Sequence, residues 1–403
     1  MRYDILRGVR VVELGSAWAG PFAARLLADL GAEVIKVEAP RRPDMVRFSV
    51  YLDDDAGEPA WERGAHYQKF SRNKKSCIID VQSARGRELF LRLLAKSDIF
   101  LENNTPRVRE QLGLTDDVLR EVAPNLVCIS MPGFGLTGPY RDYLAYGLTV
   151  EGFSGLSSVT GYGDGSPPTR SAVPYGDPVA GVYGAIAGVV ALLGKRRHGV
   201  VSHLELSQHE ALITMLPDLL LRAQTEGNDP QPQDNRDGIV YDPQGVFACA
   251  GEDEWIAISV SNGKERDALL RLLGLSARAD ASDLDLHRAL EGWARQRRRD
   301  EAVDILQGAG IPAGPVLSPR EMTEHEQVEA RQVYEDVAHP LYRTLPYSRI
   351  PIRISGAAEQ ADSHAPLFGE HNDEVFSGLL GLSHDEIQQL YDQGVTADAP
   401  DLT

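Results

Sequence analysis

Cysteine is scarce in this chain. Its 403 residues include three, Cys77, Cys128 and Cys249, far apart in sequence. Such spacing excludes a disulfide framework and a closely spaced zinc site, and it predicts buried, reduced thiols. Long apolar runs are missing too. The longest, Val179 to Leu193, is too short and too glycine-rich for a bilayer span, so no membrane segment is expected. Met1 to Arg10 carries charges and no apolar core, which excludes a secretory signal there. Positive charge is in deficit, with 41 Lys and Arg against 59 Asp and Glu and a formal net charge of −18. That balance repels nucleic acid and anionic lipid, so neither is an expected partner. An anionic small substrate would need a local basic site inside the acidic envelope. These absences leave a cytoplasmic globular protein, and the length predicts two or three domains.

What is present is a repeated alternation of strand and helix. Val9 to Leu14 reads as a strand. Pro21 to Leu30 follows helical spacing, with Phe22, Leu26, Leu27 and Leu30 on one side, and Gly31 stops it. Ala32 to Val37 is the next strand, so this βαβ unit predicts a right-handed crossover and a parallel pair. Strands over Ser76 to Asp80, Ile99 to Leu101 and Leu126 to Ser130, with a helix over Ala84 to Lys96, extend it into a doubly wound α/β domain. Gly133 to Pro168 reads as loop. A long helix over Asp177 to Leu193, a strand over Ser202 to Leu206 and a helix over Gln208 to Gln224 follow. The polar stretch Glu226 to Asp237, with Pro230 and Pro232, reads as a linker. Beyond it, a strand over Trp255 to Val260 and helices over Lys264 to Leu275 and Ala289 to Leu306 predict a smaller α/β domain. Arg349 to Ile354 reads as a strand, Ser383 to Gln393 as a helix, and Ala397 to Thr403 as a frayed tail.

Several motifs are weighed against their simpler readings. The turn Gly15-Ser-Ala-Trp-Ala-Gly20-Pro21 ahead of Glu38 raises a dinucleotide site, but it lacks the G-x-G-x-x-G spacing and its Pro21 suits a helix start. His198, His203 and His209 lack the i, i+4 pairing of a helical zinc motif. Ser154, in Gly-Phe-Ser-Gly, misses the nucleophile elbow of a serine hydrolase. Arg72-Asn-Lys-Lys75 reads equally well as a solvated strand edge and as a phosphate-binding corner. Asp177, between Gly176 and Pro178, reads locally as a helix N-cap.

Seven blocks in order resemble the class III CoA-transferases, the group that includes formyl-CoA and carnitine CoA-transferases. They are Gly8-Val-Arg-Val-Val-Glu-Leu with Ala19-Gly-Pro21, Leu30-Gly-Ala-Glu-Val-Ile-Lys-Val-Glu38, Arg72-Asn-Lys-Lys-Ser with Asp80, Leu101-Glu-Asn103, Gly181 to Leu193 with Gly199, Gly310-Ile-Pro-Ala-Gly-Pro-Val316, and Leu367-Phe-Gly-Glu-His-Asn-Asp-Glu-Val375. The resemblance implies a Rossmann-like large domain built from both chain ends, a smaller α/β domain, and an interlocked homodimer. The implied division is 1–224 for the first part of the CoA-binding large domain, 225–325 for linker and small domain, and 326–403 for the returning segment.

The resemblance also implies an activity: transfer of coenzyme A from an acyl-CoA, with succinyl-CoA the expected donor, to a free carboxylic acid. Asp177 matches the family nucleophile, and a carboxylate at a helix start is expected to keep a low pKa. Trp18, Ala19, Ala39, Ile79, Asp80, Gln82, Asn103, Asn104, Gln111 and Tyr146 match CoA-contact positions. Ala39 and Gln111 stand where family members often have Arg, with Arg41 and Arg42 close by. Arg72 and Lys75 join these contacts on the phosphate-corner reading. Oxyanion donors are expected around Gly133 to Gly138 or at Asn262-Gly263. No metal and no permanently bound cofactor is implied, since the CoA thioester is substrate. The long oligoglycine loop of formyl-CoA transferases is absent. Two alternatives remain: an α-methylacyl-CoA racemase-like enzyme, whose Gly-His-Asp segment would fall near Ala145-Tyr-Gly147, and a non-catalytic subunit of a heteromeric transferase.

Overall fold

The computed structural model describes residues 2–227, 229–236, 243–275 and 282–402. Asn228 and Asp237 of the expected linker, and Thr403, lie outside them. The chain divides into two compact units. One comprises Met1–Gly155, Ser171–Leu220 and Gln332–Thr403, the other Leu156–Arg170 and Leu221–Arg331. The first draws on both chain ends. Residues 156–170, which the sequence reading left in the large domain, cluster with the second unit.

The first unit is organised on a six-stranded sheet: β1 (Arg10–Leu14), β2 (Glu33–Glu38), β3 (Lys74–Ile78), β4 (Ile99–Glu102), β5 (Val127–Ser130) and β6 (His203–Glu205). All pairings are parallel, and the spatial order is β3-β2-β1-β4-β5-β6. Successive side chains leave opposite faces of a strand, and the core divides accordingly. Val11, Val34, Ile99, Val127 and Ile129 face α1 (Ala19–Asp29). Val12, Ile35, Phe100 and Cys128 face α2 (Ala84–Leu94) and the C-terminal residues Val375, Phe376, Ile387 and Leu390. This is a doubly wound α/β unit with the strand order that places ligand crevices between β1 and β4.

Three further helices of this unit matter for the site. They are α3 (Gly147–Ser154), α4 (Gly176–His198) and α5 (Gln208–Ile213). α3 lies inside the stretch expected to be loop. α4 is longer than the sequence suggested because it runs through the basic end Lys195 to His198 and stops at left-handed Gly199. At 23 residues and a mean hydropathy of 1.6 in its most apolar window, it is long and apolar enough to cross a membrane. Its inner face argues for the core instead. Gly181, Gly184 and Gly188 are small enough that Phe22, Met131 and Ile129 sit where a Cβ would be crowded, so α4 packs closely on α1 and the sheet.

The second unit holds the antiparallel sheet β7 (Gln244–Ala248), β8 (Trp255–Ser259) and β9 (Ala313–Pro315), in the order β9-β8-β7. With α6 (Gly263–Leu272), α7 (Asp283–Ala294) and α8 (Arg299–Gly308) it encloses a core of Phe247, Ile256, Ile258, Leu269, Leu286, Leu290 and Leu306.

Three expected elements differ. The helix from Gln208 breaks before Pro217, which lacks an N–H and instead begins a new helix, Pro217–Glu226. The helix expected over Ala289 to Leu306 is two, α7 and α8. Arg349 to Ile354 is not a strand. The strand lies earlier, Leu345–Ser348, paired with Tyr334–Val337, and Pro351 cannot donate to a ladder. The tail is also held, since the Asp401 N–H donates to the Pro40 carbonyl at 2.8 Å.

Candidate active site

The turn after β1 carries unusual backbone constraints. Ala17 has φ +65°, a left-handed conformation that costs a non-glycine residue about 1 kcal/mol. Polar side chains, most of them buried, fix it there. Asp44 accepts from Ala17 N–H at 2.9 Å and from Ser16 Oγ at 3.0 Å. Asn103 accepts from Ser16 N–H and donates to Ser16 O, each at 2.9 Å. Lys36 Nζ, fully buried, donates to Gly15 O at 2.9 Å while pairing with Glu13 and Asp44. Lys74 Nζ, buried beside it, bridges Glu13 and Pro21 O. The turn is therefore clamped from strand and loop sides before α1 begins at Ala19.

That clamp aims the first N–H of α1 at Asp177. The N–H groups of Ala19 and Gly147, the first residues of α1 and α3, act on the carboxylate and favour its charged form, and Asp177 itself stands in the first turn of α4. Three helix N-termini thus converge on one carboxylate, a favourable setting for negative charge. Gly147 permits this approach: a Cβ there would collide with Asp177 Oδ2 and with Pro174. Tyr175, not Asp177, occupies the N-cap position of α4. Asp177 is only 9% exposed. Burial, opposed by the two N–H groups and reinforced by the nearby Glu151 carboxylate, pushes its pKa up to about 6. The expectation of a low pKa is corrected here, because desolvation outweighs the helix ends.

On the other side of the same turn lies a cavity of about 650 Å³ at the C-terminal ends of β1, β2 and β3. Gly15 and Ser16 form one wall. The others include Ala39, Arg41, Arg42, Ile79, Asp80, Gln82, Asn104 and, from the tail, Ala397 and Asp401. Five of the residues anticipated as CoA contacts (Ala39, Ile79, Asp80, Gln82 and Asn104) are therefore brought together. Arg41, pairing with Asp401 at 2.8 Å, and Arg42 put positive charge beside Ala39. Glu38, also on the wall, is neutralised by the buried Arg47 at 2.8 Å. Asn103 and Ala19 belong to the clamped turn, and Trp18 packs on Phe70 with ring centroids 5.0 Å apart. Tyr146 caps α3 and is exposed. Gln111 does not line the cavity, although Val108 and Leu112 from the same stretch do.

Arg72 and Lys75 are elsewhere, which corrects the phosphate-corner reading. Arg72 is buried, with Nη2 at 2.8 Å from Asp29 and Nη1 donating to Ser348 O. A guanidinium already satisfied inside the core cannot reach solvent phosphate. Lys75 pairs with Glu33 at 2.6 Å and with Glu374. In the regions expected to supply oxyanion donors, local hydrogen bonds are already present. Leu136 N–H donates to Glu205, and Asn262 takes the N–H groups of Lys264 and Glu265 as the cap of α6. Sequence reasoning missed Gly147, Glu151, Asp44 and Lys36. The one local signal for α3 is Thr149, whose Oγ1 accepts from Tyr146 N–H at 2.8 Å as a capping residue.

Comparison with known proteins places these features in a family. The profile of CoA-transferase family III matches residues 6–372. A succinyl-CoA–D-citramalate CoA-transferase of Chloroflexus aurantiacus is 30% identical over 404 residues, covering 96% of each chain. A formyl-CoA:oxalate CoA-transferase of Streptomyces coelicolor is 29% identical, covering 98% of this chain and all of that one. The crystal structure of a CAIB/BAIF family protein from Brucella suis superposes with a TM-score of 0.81 at 28% identity, over 94% of this chain and all of that one. The match spans most of the sequence and both compact units, and the chain belongs to CoA-transferase family III, a family of enzymes whose substrates are CoA thioesters.

Proposed function

We propose that this enzyme moves coenzyme A from an acyl-CoA to a free carboxylic acid through covalent intermediates on Asp177. The observation that carries the reading is the buried carboxylate at three helix N-termini, one clamped turn away from a cavity with arginines at its wall. An Asp177 oxygen attacks the thioester carbonyl, the C–S bond breaks, and an acyl-aspartyl anhydride and CoA thiolate form. The thiolate attacks the aspartyl carbonyl, releases the donor acid as carboxylate and leaves an aspartyl-CoA thioester. The acceptor carboxylate attacks that thioester and expels the thiolate, which then takes the acceptor acyl carbon and frees Asp177. One exchange becomes a series of easier acyl transfers. The N–H groups of Ala19 and Gly147 hold an aspartyl oxygen where negative charge develops when the thiolate adds.

CoA is assigned to the cavity, with Arg41 and Arg42 toward its phosphates. Trp18, Asn103 and Tyr146 are assigned to the path toward Asp177. Succinyl-CoA is the proposed donor, supported by the name of the Chloroflexus relative. A racemase reading loses support at Ala145-Tyr-Gly147, which holds neither the histidine nor the aspartate of the racemase segment. A second copy of the chain, interlocked with the first, is the proposed assembly, supported by the exposed apolar face of α4. The buried, unpaired thiols fit a cytoplasmic setting. Incubation with succinyl-CoA and hydroxylamine, followed by peptide mass spectrometry, is expected to mark Asp177. A fully active Asp177→Ala enzyme would sink the assignment.

A further inference from the structure

We propose that Glu151 is a positioning residue for Asp177: its carboxylate holds the start of α4 and its negative charge tunes the nucleophile. The inference rests on the reading of Asp177 given above. Glu151 lies on the face of α3 that packs against α4 and is only 2% exposed. Its Oε1 accepts from the N–H of Tyr175 at 2.6 Å, two residues before Asp177. On the same helix face Val150 packs against Gly176, and Gly147 lies close against the Asp177 carboxylate. One short helix therefore grips residues 175, 176 and 177 in succession.

The hydrogen bond alone does not explain a charged residue here. A glutamine could accept the same N–H without placing a second buried carboxylate beside the first, and burying charge is costly. The neighbouring elements carry other titratable groups, and these have other occupations. On α1, Arg25 pairs with Asp29 at 3.1 Å. On β5, Cys128 is a buried thiol pushed up to about 12 by that burial. On α5, His209 contacts the Phe153 carbonyl and Glu210 stands in the first turn. The basic groups of α4 are in its last turn. Among the described residues Glu151 is the charge that acts on Asp177.

The consequence follows from charge along the reaction. Free Asp177 is anionic, and Glu151 repels it. In the anhydride and in the aspartyl-CoA thioester the Asp177 side chain is neutral, so the repulsion is relieved as each covalent bond forms. Glu151 therefore favours the acylated states and makes the free carboxylate a stronger nucleophile, at the expense of protonation in mildly acidic solution.

The test is single-turnover trapping of the Asp177 adduct from succinyl-CoA with hydroxylamine, across pH about 5 to 8. Wild type is expected to lose trapping below a midpoint near 6. Glu151→Gln, which keeps the acceptor for Tyr175, is expected to move that midpoint down by up to about one unit and to slow acylation up to about tenfold above it. Glu151→Asp keeps the charge and is expected to retain the wild-type midpoint, with a lower rate because the shorter side chain loosens its hold on Tyr175. An unshifted midpoint in Glu151→Gln, or the same shift in both variants, overturns the proposal. Failure of the nucleophile reading looks different: wild type itself would then give no Asp177 adduct.

Discussion

A carboxylate proposed to attack at neutral pH gains from being basic and suffers from being buried. Asp177 carries both consequences. Its pKa stands at about 6 in the folded protein, above the ordinary carboxylate range, because burial disfavours the charge. Between the ordinary range and pH 6 the folded state holds a proton that the unfolded chain has released. Stability therefore falls as pH rises through that window and stays lower above it, by about 3 kcal/mol for a two-unit shift. Asp177→Asn keeps an acceptor for the Ala19 and Gly147 N–H groups and removes the charge. It is expected to raise Tm at neutral pH by a few degrees, measured by calorimetry, while transfer falls at least about 10³-fold. A lower Tm would show that the charge stabilises the site. Gly147→Ala tests the same contact from the opposite side. Its Cβ would displace the Asp177 carboxylate, so kcat should fall by about 10²-fold or more, with little change in the CoA dissociation constant measured by calorimetric titration.

At the level of elements, the turn between β1 and α1 links the cavity to Asp177, and charged side chains fix it from below. Asp44→Asn weakens the acceptor that holds Ala17 in its left-handed conformation. With the turn free to relax, Ala19 N–H leaves Asp177. A loss in kcat of about tenfold is expected, without a matching loss of secondary structure by circular dichroism. Adding Ala17→Gly removes the Cβ penalty of about 1 kcal/mol and should restore up to about fivefold. No rescue would show that Asp44 acts through stability alone. The sequence made parts of this arrangement readable and hid others. Strands such as β1 and β4 are legible because Val11 and Val12, Ile99 and Phe100, face opposite cores, which leaves short continuous apolar runs between turn residues. α3 was hidden, since eight residues with glycine at both Gly147 and Gly152 resemble loop. Asp177 was visible as a helix-start residue, and its place among ordered blocks marked it as more. Its elevated pKa was invisible, because burial comes from α1 and α3, distant in sequence. Arg72 misled for the same reason: a basic run looks solvent-facing until Asp29 is seen beneath it.

For the whole molecule, the outer face of α4 is the open question that the proposed dimer answers. Val182, Tyr183, Ile186, Val190 and Leu193 are all exposed, and their spacing puts them along one side of the helix opposite the glycine-rich face. A contiguous apolar stripe on a chain carrying −18 charge is unusual for a surface that stays in water. Covering it with the same stripe from a second copy would remove both faces from solvent at about 25 cal/mol per Å² of apolar area. Long-range repulsion between two such acidic chains opposes the encounter, so the association is expected to depend on this apolar contact. Light scattering during size-exclusion chromatography is expected to give twice the 44.1 kDa chain mass for wild type. Ile186→Glu with Val190→Lys places charge at the middle of the stripe and is expected to yield monomer or aggregate, with activity lost in proportion to the dimer lost. Both residues are on the face turned away from Asp177, so a direct effect on that carboxylate is not built into the variant. A monomeric wild type at micromolar concentration with full turnover would refute the dimer and leave the stripe to another partner.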